Sequence, residues 1–454
     1  MRKLSVLLLS AMLVACGGGG GGGSFPGPDG PTSCSNDAQK QFVLDNLHVW
    51  YLWNNMLPAS INIADYPSPE QLVYDVTRNY GPQDANDDPI DRWSSVGSLQ
   101  ADQQYYGEGR YEGYGFRWRF EANDLRVVSV YTDSPAGTGG LERGQTMLSL
   151  NGRTVADIDA NEGISAFFGA NDTVTFELQR LDTTIFTTTP INKNIVTIDP
   201  IPQVRVIDIG PGMPPVGYMQ FETFISTAHD GVGGQDFDDV FALFNANGVE
   251  DVVLDLRYNR GGLVNTAELL GDYLGGFAND NMVFSNTEFN ADRAAANNSS
   301  SFFSRLGNSI NLTRVIVIAS RDNTASASEL VTNSMIPYAD VWIVGENTYG
   351  KPVGQIGLEF CDKILRPTSF KATNANGDGE YFAGLPVDCA ATDDVGIPIG
   401  DDLDENIIAA TSISATGACP VISVPGGQLA PTTRPEIRYP ELSGPPEQEF
   451  AGSF

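Results

Sequence analysis

The sequence predicts a multidomain α/β protein in which a helical N-terminal region and a β-rich middle region precede a larger α/β core. Its 454 residues correspond to about three domains at roughly 150 residues each. The apolar residues change from helical spacing to strand-like alternation near residue 109. After residue 193, apolar β-branched runs alternate with helical segments, which is typical of a sheet covered on both faces.

Composition excludes several classes of function. The chain carries 57 Asp and Glu against 26 Lys and Arg, a formal charge of -31. Nucleic-acid binding draws most of its affinity from cations placed beside phosphates, so neither DNA nor RNA is an expected partner. The only histidines are His48 and His229, which leaves little room for a zinc site built on imidazoles. We therefore expect neither a metal nor a cofactor.

The N-terminus has the features of an export signal. Two basic residues precede an apolar run over residues 4–15, which is too short to span a bilayer as a helix. The run ends in Leu13-Val14-Ala15-Cys16, which resembles a bacterial lipobox and implies a lipoprotein signal peptide over residues 1–16 with lipidation of Cys16. The alternative is an ordinary cysteine at the end of a cleaved signal. The glycine-rich segment 17–34 is then a flexible linker. Because a glycine rather than an Asp-type retention signal follows Cys16, the expected location is the cell envelope, at the outer membrane and facing the periplasm or the cell surface.

Four further cysteines remain, an even number in a chain expected to enter an oxidising compartment. Up to two disulfides are expected, with three possible connectivities, and a pair within the C-terminal three cysteines is favoured. The four residues are Cys34, Cys361, Cys389 and Cys419.

Residues 35–108 are predicted to be mainly helical. Asn36 and Gln39 have the spacing of a capping box at a helix start. His48 lies in the same segment and is expected to be a packing residue. The helix presents one apolar stripe, formed by Val43, Leu47, Trp50 and Tyr51.

Residues 109–192 are predicted to form short strands, and Gly113-Tyr114-Gly115-Phe116 resembles the carboxylate-binding loop of PDZ domains. Glycines let successive backbone N–H groups converge on a carboxylate while the chain turns tightly. The downstream pattern, from Ser134-Pro135-Ala136 to Leu148-Ser149-Leu150-Asn151-Gly152, extends the resemblance, although Gln145 stands where the family usually has Asp. The resemblance implies a module that binds C-terminal tails by adding a strand. A β-turn in an unrelated barrel is the alternative.

Residues 193–424 are predicted to form the α/β core, and the proline-rich tail 425–454 is expected to run over the surface or be disordered. The predicted strands are 216–221, 251–257, 314–319 and 341–345. The predicted helices are 235–247, 263–274 and 326–336.

Ser326 is the first candidate for chemistry, because it lies at a predicted helix start directly after a strand and a polar connector. With Glu329 it forms a capping box, and most such serines only cap a helix. The same position suits a nucleophile, since free N–H groups and the helix dipole can stabilise an oxyanion beside it.

Lys351 is the candidate base, because the connection after the next strand can return it toward Ser326. Lysines have a reference pKa of about 10.4 and accept a proton only when neutral, so the hypothesis requires a buried amine. Gln355, four residues later, can orient the amine through its amide oxygen. The alternative is an ordinary surface lysine.

The segment from Asp255 to Gly262 supplies a third piece. Gly261 and Gly262 allow the backbone to approach a ligand, so an N–H from either can join that of Ala327 as an oxyanion hole. Asp255 and Arg257 are expected to form a structural ion pair or turn contacts.

These three pieces, in this order, resemble the C-terminal processing peptidases of family S41. The resemblance covers about residues 110–410 and implies a protease core of the ClpP/crotonase-like type, with Ser326 as nucleophile, Lys351 as base and Gln355 as its partner. It further implies an endopeptidase acting on proteins with exposed C-termini, and it leaves the oligomeric state open. Arg260 and Pro352 depart from the family pattern, and the helical N-terminal region matches no part of the family that we can assign.

Three alternatives remain open at this stage. Ser328 is a rival nucleophile, expected to point away from the site. His229 could serve as the base of an esterase-like triad. The chain could also be a catalytically silent envelope scaffold that uses only its PDZ-like module for binding.

Overall fold

The computed structural model describes residues 30–31, 33–231, 234–420 and 437–438 of the chain. The expected lipidation residue Cys16 lies outside them, as do most of the glycine-rich linker and most of the tail predicted over 425–454. None of the helices in this described part combines the length and the apolar character needed to cross a bilayer.

Two helices that pack against each other dominate the N-terminal region. The apolar stripe predicted for the first helix is fully buried, which confirms the helix. The elements are α1 Asn36–Trp50, α2 Pro69–Tyr80, β1 Ser95–Ser98 and the short helix α3 Leu99–Asp102.

The start of α1 differs from the prediction. The capping residue is Ser35, whose hydroxyl accepts a hydrogen bond from the N–H of Ala38 at 3.4 Å. Asn36 is already inside the helix, and its side-chain amide donates to the Pro67 carbonyl at 2.7 Å. The capping box predicted at Asn36 and Gln39 is therefore wrong, because a contact from a distant loop occupies the Asn36 side chain.

Short strands and three helices surround an aromatic core in the middle region. The strands are β2 Arg110–Gly113, β3 Phe116–Glu121, β4 Asp124–Val130, β5 Thr146–Leu150, β6 Arg153–Thr154, β7 Thr173–Val174, β8 Phe176–Gln179, β9 Ile185–Thr187 and β10 Ile191–Asn192. The helices are α4 Pro135–Thr138, α5 Val155–Asn161 and α6 Ile164–Ala170.

Strand β3 has two different faces, as the period of two along a strand dictates. Arg117 forms an ion pair with Glu222 of the α/β core. Arg119 donates to the Asp393 carboxylate at 2.6 Å. β3 therefore connects the core of the middle region to the α/β core. The residues that alternate with these arginines along the strand are buried in the aromatic core: Phe116, Trp118 and Phe120.

The α/β core contains the remaining elements. Its strands are β11 Asn194–Thr197, β12 Gln203–Ile207, β13 Val216–Gln220, β14 Asp251–Asp255, β15 Val283–Phe289, β16 Ser299–Phe302, β17 Arg314–Ala319, β18 Asp340–Gly345, β19 Val353–Gln355, β20 Leu358–Phe360, β21 Lys363–Arg366, β22 Thr368–Thr373 and β23 Cys389–Ala390. Its helices are α7 Thr227–Asp230, α8 Phe237–Ala246, α9 Val264–Asn279, α10 Ala294–Asn297, α11 Ala327–Met335 and α12 Glu405–Thr416.

A six-stranded sheet with the order β12-β13-β14-β17-β18-β23 forms the centre of this core. β12 is antiparallel to β13, and every other neighbouring pair is parallel. Buried residues from α8, α9 and α11 cover one face, and those from α12 cover the other. The four predicted strands correspond to β13, β14, β17 and β18 and the three predicted helices to α8, α9 and α11, so these predictions are confirmed.

Two smaller sheets flank the central one. An antiparallel sheet has the order β16-β15-β22-β19, and a second has the order β1-β21-β20. Strand β1 belongs to the region predicted as helical. Its sequence, Ser-Val-Gly-Ser, lacks the apolar alternation that indicates a strand. Its partner β21 lies far along the chain, so no local hairpin pattern marks it either.

A last strand, β24 Ile437–Arg438, pairs antiparallel with β3. The sheet of the middle region then has the order β24-β3-β4-β5-β8-β9. This short strand lies in the predicted proline-rich tail.

Two disulfides are present, Cys34–Cys361 and Cys389–Cys419. The second joins two of the C-terminal three cysteines, the kind of pair that the sequence favoured. The first encloses 327 residues of sequence and fastens the start of α1 to the strands beyond Lys351. Beside it, the rings of Phe42 and Phe360 stack at 4.8 Å.

We predict that removing the first disulfide is more costly than removing the second. A cross-link stabilises mainly by restricting the unfolded chain, and the separations are 327 and 30 residues. The double variant Cys34→Ser/Cys361→Ser should lose about 2–5 kcal/mol of unfolding free energy, and about 2 kcal/mol more than Cys389→Ser/Cys419→Ser. Urea unfolding of both variants measures this difference. Equal losses would show that loop length does not govern the effect.

Candidate active site

Ser326 lies between the end of β17 and the start of α11, where a polar connector leads into the helix. It caps the helix with φ 55° and ψ -112°, a positive φ that residues with a side chain rarely adopt. Such strain persists only where the surrounding structure holds it in place. The predicted capping box with Glu329 is present.

The carboxylate of Glu329 is the centre of the site. The side chain is fully buried, and one oxygen accepts hydrogen bonds from the N–H of Ser326 at 3.0 Å and of Lys351 at 2.8 Å. The other oxygen accepts from the N–H of Gly350 at 2.6 Å and from the Thr348 hydroxyl at 2.5 Å. One side chain therefore fixes the backbone at the candidate nucleophile and at the candidate base.

Burial raises the pKa of Glu329 to about 7, while the four hydrogen bonds favour the ionised form and act in the opposite direction. A carboxylate with four donors accepts along nearly all of its lone-pair directions. An amide at this position has only one acceptor oxygen and brings two hydrogens toward existing donors. The position thus favours a carboxylate over its isosteric amide.

The amine of Lys351 is held between an amide oxygen and an aromatic ring. Its Nζ donates to Gln355 Oε1 at 3.0 Å and lies 5.7 Å from the ring centroid of Trp93. Gln355 in turn donates to the carbonyls of Trp93 and Arg366, both at 2.8 Å. Since both amide hydrogens of Gln355 bond to backbone carbonyls, its oxygen is directed at Lys351. The side chain of Lys351 is half-buried rather than freely solvated.

Gly261 packs against the start of α11, and Gly262 packs against Phe224. A Cβ on Gly261 would lie 2.7 Å from Ser326 Cβ and 2.8 Å from the Ala327 nitrogen. A Cβ on Gly262 would lie 2.1 Å from the Phe224 carbonyl oxygen. Both glycines also have positive φ, 95° and 138°. Only glycine fits this approach of one backbone to another.

The backbone N–H groups near Ser326 differ in whether they are already hydrogen-bonded. The N–H of Gly261 donates to Asn259 Oδ1 at 2.9 Å, so it is engaged inside its own loop. Ala327 is the first residue of α11, where a helix has N–H groups without a carbonyl one turn earlier. The structure thus brings Gly261 beside Ala327, with the Gly261 N–H already bonded, and Gly262 follows as the next residue of the same loop.

The rival residues have other contacts. Ser328 is fully buried, and its hydroxyl donates to the Asn259 carbonyl at 3.0 Å. Nε2 of His229 is hydrogen-bonded to Thr266 Oγ1 at 2.9 Å, on the side of α9. His48 is half-buried in α1.

The loop Gly113-Tyr114-Gly115-Phe116 forms a fixed turn at the start of β3. The carbonyls of Tyr114 and Gly115 accept from the N–H groups of Ala136 and Tyr131, at 2.8 and 2.9 Å. Gly115 has φ 86°, and a Cβ there would lie 2.1 Å from Ser134 Cβ. Bonding of the carbonyls toward the protein fixes the orientation of the peptide groups in this loop.

A cluster of charges between the middle region and the core was not anticipated from the sequence. Asp393 accepts from Arg119 at 2.6 Å, Arg143 at 2.7 Å and Arg257 at 3.0 Å, and it also contacts the Tyr258 hydroxyl. Burial alone would raise the pKa of Asp393, but the three guanidinium groups hold it well below its usual range.

Arg257 belongs to both this cluster and the loop beside Ser326. Its bond to Asp255 at 2.8 Å confirms the predicted ion pair, and a second bond joins it to Asp404 at 2.7 Å. No local pattern marks Asp393, because its partners come from three distant segments. The cluster links β3 to the chain that leads into Gly261 and Gly262.

Comparisons with known proteins add family information. Residues 215–389 match the model described as Peptidase family S41, and residues 38–95 match the Peptidase S41 N-terminal domain. The sequence alone had left the helical region unassigned, and the second match corrects this.

Among curated proteins, the chain is 24% identical over 277 residues to the carboxy-terminal processing protease CtpA of Bacillus subtilis, an alignment covering 61% of this chain and 55% of that protein. It is 24% identical over 247 residues to the carboxyl-terminal-processing protease of Synechocystis, covering 53% of each. The chain thus spans about half the length of the curated relatives that it matches.

Two solved structures share the fold. A putative S41 protease from Bacteroides fragilis superposes with a TM-score of 0.62 at 21% identity, over 83% of this chain and 97% of that one. The photosystem II D1 C-terminal processing protease superposes with a TM-score of 0.51 at 19% identity, over 84% and 99%. The mixed α/β architecture is therefore that of known S41 structures.

We predict that Glu329→Gln lowers kcat by about 10²-fold while the protein stays folded, since a displacement of about 1 Å between reacting groups has an effect of this size. Glu288→Gln is the matched control, since Glu288 pairs with Lys371 at 3.3 Å, an ion pair that involves neither Ser326 nor Lys351. Peptidase kinetics and circular dichroism measure both properties, and unchanged kcat in the folded Glu329 variant would contradict the role.

Proposed function

We propose that this chain, which belongs to peptidase family S41 through its residues 38–95 and 215–389, is a serine endopeptidase with a Ser326–Lys351 dyad. The observation that carries the proposal is the Glu329 carboxylate, which bonds to the backbone N–H groups of both dyad residues. A capping serine and a surface lysine would have no reason to share one buried carboxylate.

In the proposed acylation, the neutral amine of Lys351 removes the Ser326 hydroxyl proton as Oγ attacks the scissile carbonyl carbon. The carbonyl oxygen becomes an oxyanion that accepts from the N–H groups of Ala327 and Gly262. Gly261 does not donate to the oxyanion, since its own N–H bonds to Asn259. Its role is to hold the loop close to Ser326. When the tetrahedral intermediate collapses, the C–N bond breaks and the lysine ammonium returns its proton to the leaving amine.

Deacylation repeats the cycle with water. Lys351 takes a proton from the water, hydroxide oxygen attacks the acyl carbon, and Ser326 Oγ leaves with the proton from the ammonium. Gln355 directs the amine throughout, because its oxygen is the acceptor at 3.0 Å from Nζ. The protons and bonds of both steps balance with this chain's residues and water alone.

Substrate recognition is proposed for the PDZ-like region. A C-terminal tail would add a strand to β3 and place its carboxylate at the N–H groups of Gly113-Tyr114-Gly115-Phe116. The fixed turn of that loop supports this function, as does the position of β3, which is the outermost strand that residues 109–192 contribute to the sheet. Tail binding beside Arg119 would also lie next to the Asp393 cluster.

Export and lipid anchoring at Cys16 are proposed on the N-terminal pattern. The two disulfides support an oxidising compartment, since such bonds are rare in cytosolic proteins. Metabolic labelling with a radioactive fatty acid tests the anchor: wild type should incorporate the label in a lipoprotein-processing bacterium, and Cys16→Ser should not. Equal labelling of the two proteins would refute lipidation at Cys16.

We predict that Ser326→Ala and Lys351→Ala each lower kcat/KM for an unfolded protein substrate by about 10³-fold or more, because dyad members act as a unit. Ser328→Ala and Lys371→Ala are matched controls and should retain activity. Gel-based cleavage of casein, in the presence of a tail peptide, measures these rates.

The alternatives predict other results. Full activity in either dyad variant would refute the mechanism. The esterase-like triad would be favoured if His229→Ala lost its activity while Lys351→Ala kept it. A wild-type protein that binds tail peptides and cleaves nothing would be the silent scaffold.

A further inference from the structure

The edge of β3 is occupied by a segment of the same chain. Ile437 is paired with Glu121 and Arg438 with Phe120, antiparallel, as the pairing of β24 with β3. In the described part of the chain no other strand lies on that side of β3. This edge is the surface at which the proposed function places a substrate tail.

The direction of β24 is the one that a bound tail needs. As the chain advances from 437 to 438, its partner on β3 moves from Glu121 back to Phe120, toward Phe116 and the loop before it. An incoming tail with the same antiparallel direction would deliver its carboxyl end to that loop. A tail bound in this way would use the backbone groups of β3 that β24 occupies.

The sequence around β24 limits how strongly it can hold. Pro435 and Pro440 bracket the four residues 436–439, and proline has no N–H to donate to a ladder. β3 itself has six residues, Phe116–Glu121, all of which pair with β4 on the other side. A tail without prolines can pair along more of β3 than this segment can, so it can displace the segment.

On these grounds we propose that β24, Ile437–Arg438, is an intramolecular competitor that covers the β3 edge until an extended C-terminal tail of a substrate displaces it. The inference rests on the proposed tail recognition. The inference goes beyond tail recognition because it names the segment that occupies the β3 edge in the protein without substrate. Because the occupant is tethered, its local concentration is high although its pairing is short.

The experiment compares three forms of the full protein. One ends at Val424 and removes the segment. A second, Ile437→Pro, keeps the length and removes a main-chain donor within the segment. The matched control ends at Ser443, which deletes eleven residues of the tail but keeps 436–439. Hydrogen exchange over residues 116–121 reports the edge itself, and fluorescence anisotropy with a labelled proline-free peptide bearing a free C-terminus reports the competition.

Faster exchange of β3 and a Kd tighter by about 3- to 10-fold are expected in the first two forms and not in the control. This range corresponds to an edge covered in about 70–90% of molecules, since apparent affinity scales with the competent fraction. Unchanged exchange and Kd, or a control that behaves like the Val424 form, would overturn the proposal. The proposal would also be overturned if the labelled peptide bound none of the three forms, whatever the hydrogen-exchange rates of β3.

Neither readout requires cleavage, so the competition can be supported even if the peptidase assays fail. Failure of the proposed chemistry then shows as tighter peptide binding without any casein cleavage. Failure of the competition shows as cleavage with identical Kd values in all three forms.

Discussion

The hydrogen bonds of one buried carboxylate, that of Glu329, hold the two halves of the site in a single arrangement. The start of α11 and the loop after β18 each donate backbone N–H groups to it. A buried charge is costly unless it is well bonded, and the pKa raised to about 7 reflects that cost. The site therefore depends on keeping all four donors aligned with this side chain.

The parallel sheet explains why these pieces meet. β14, β17 and β18 are neighbours, so the segments that follow their carboxyl ends emerge at one edge of the sheet. β14 leads to Gly261 and Gly262, β17 to Ser326, and β18 to Lys351. The close approach of Gly261 to Ser326 then fixes the first two segments against each other.

Much of this arrangement follows from the sequence, because it is encoded locally. The apolar runs of β13 to β18 and the helix start at Ser326 are visible within windows of about ten residues. The cap at Ser35, the strand β1, the Asp393 cluster and the β24 pairing are not, since each depends on partners from distant segments. The central role of Glu329 lies between these cases: its capping spacing was apparent, but its bonds to Gly350 and Lys351 required the fold.

The distance between Lys351 Nζ and Ser326 Oγ in crystal structures of the wild-type chain and of Glu329→Gln, each with a substrate peptide bound, tests the central claim most directly. We expect hydrogen-bond contact, about 2.6–3.2 Å, in the wild type and its loss in the variant. A wild-type amine that faces bulk solvent, or a contact that survives unchanged without the carboxylate, would contradict the account.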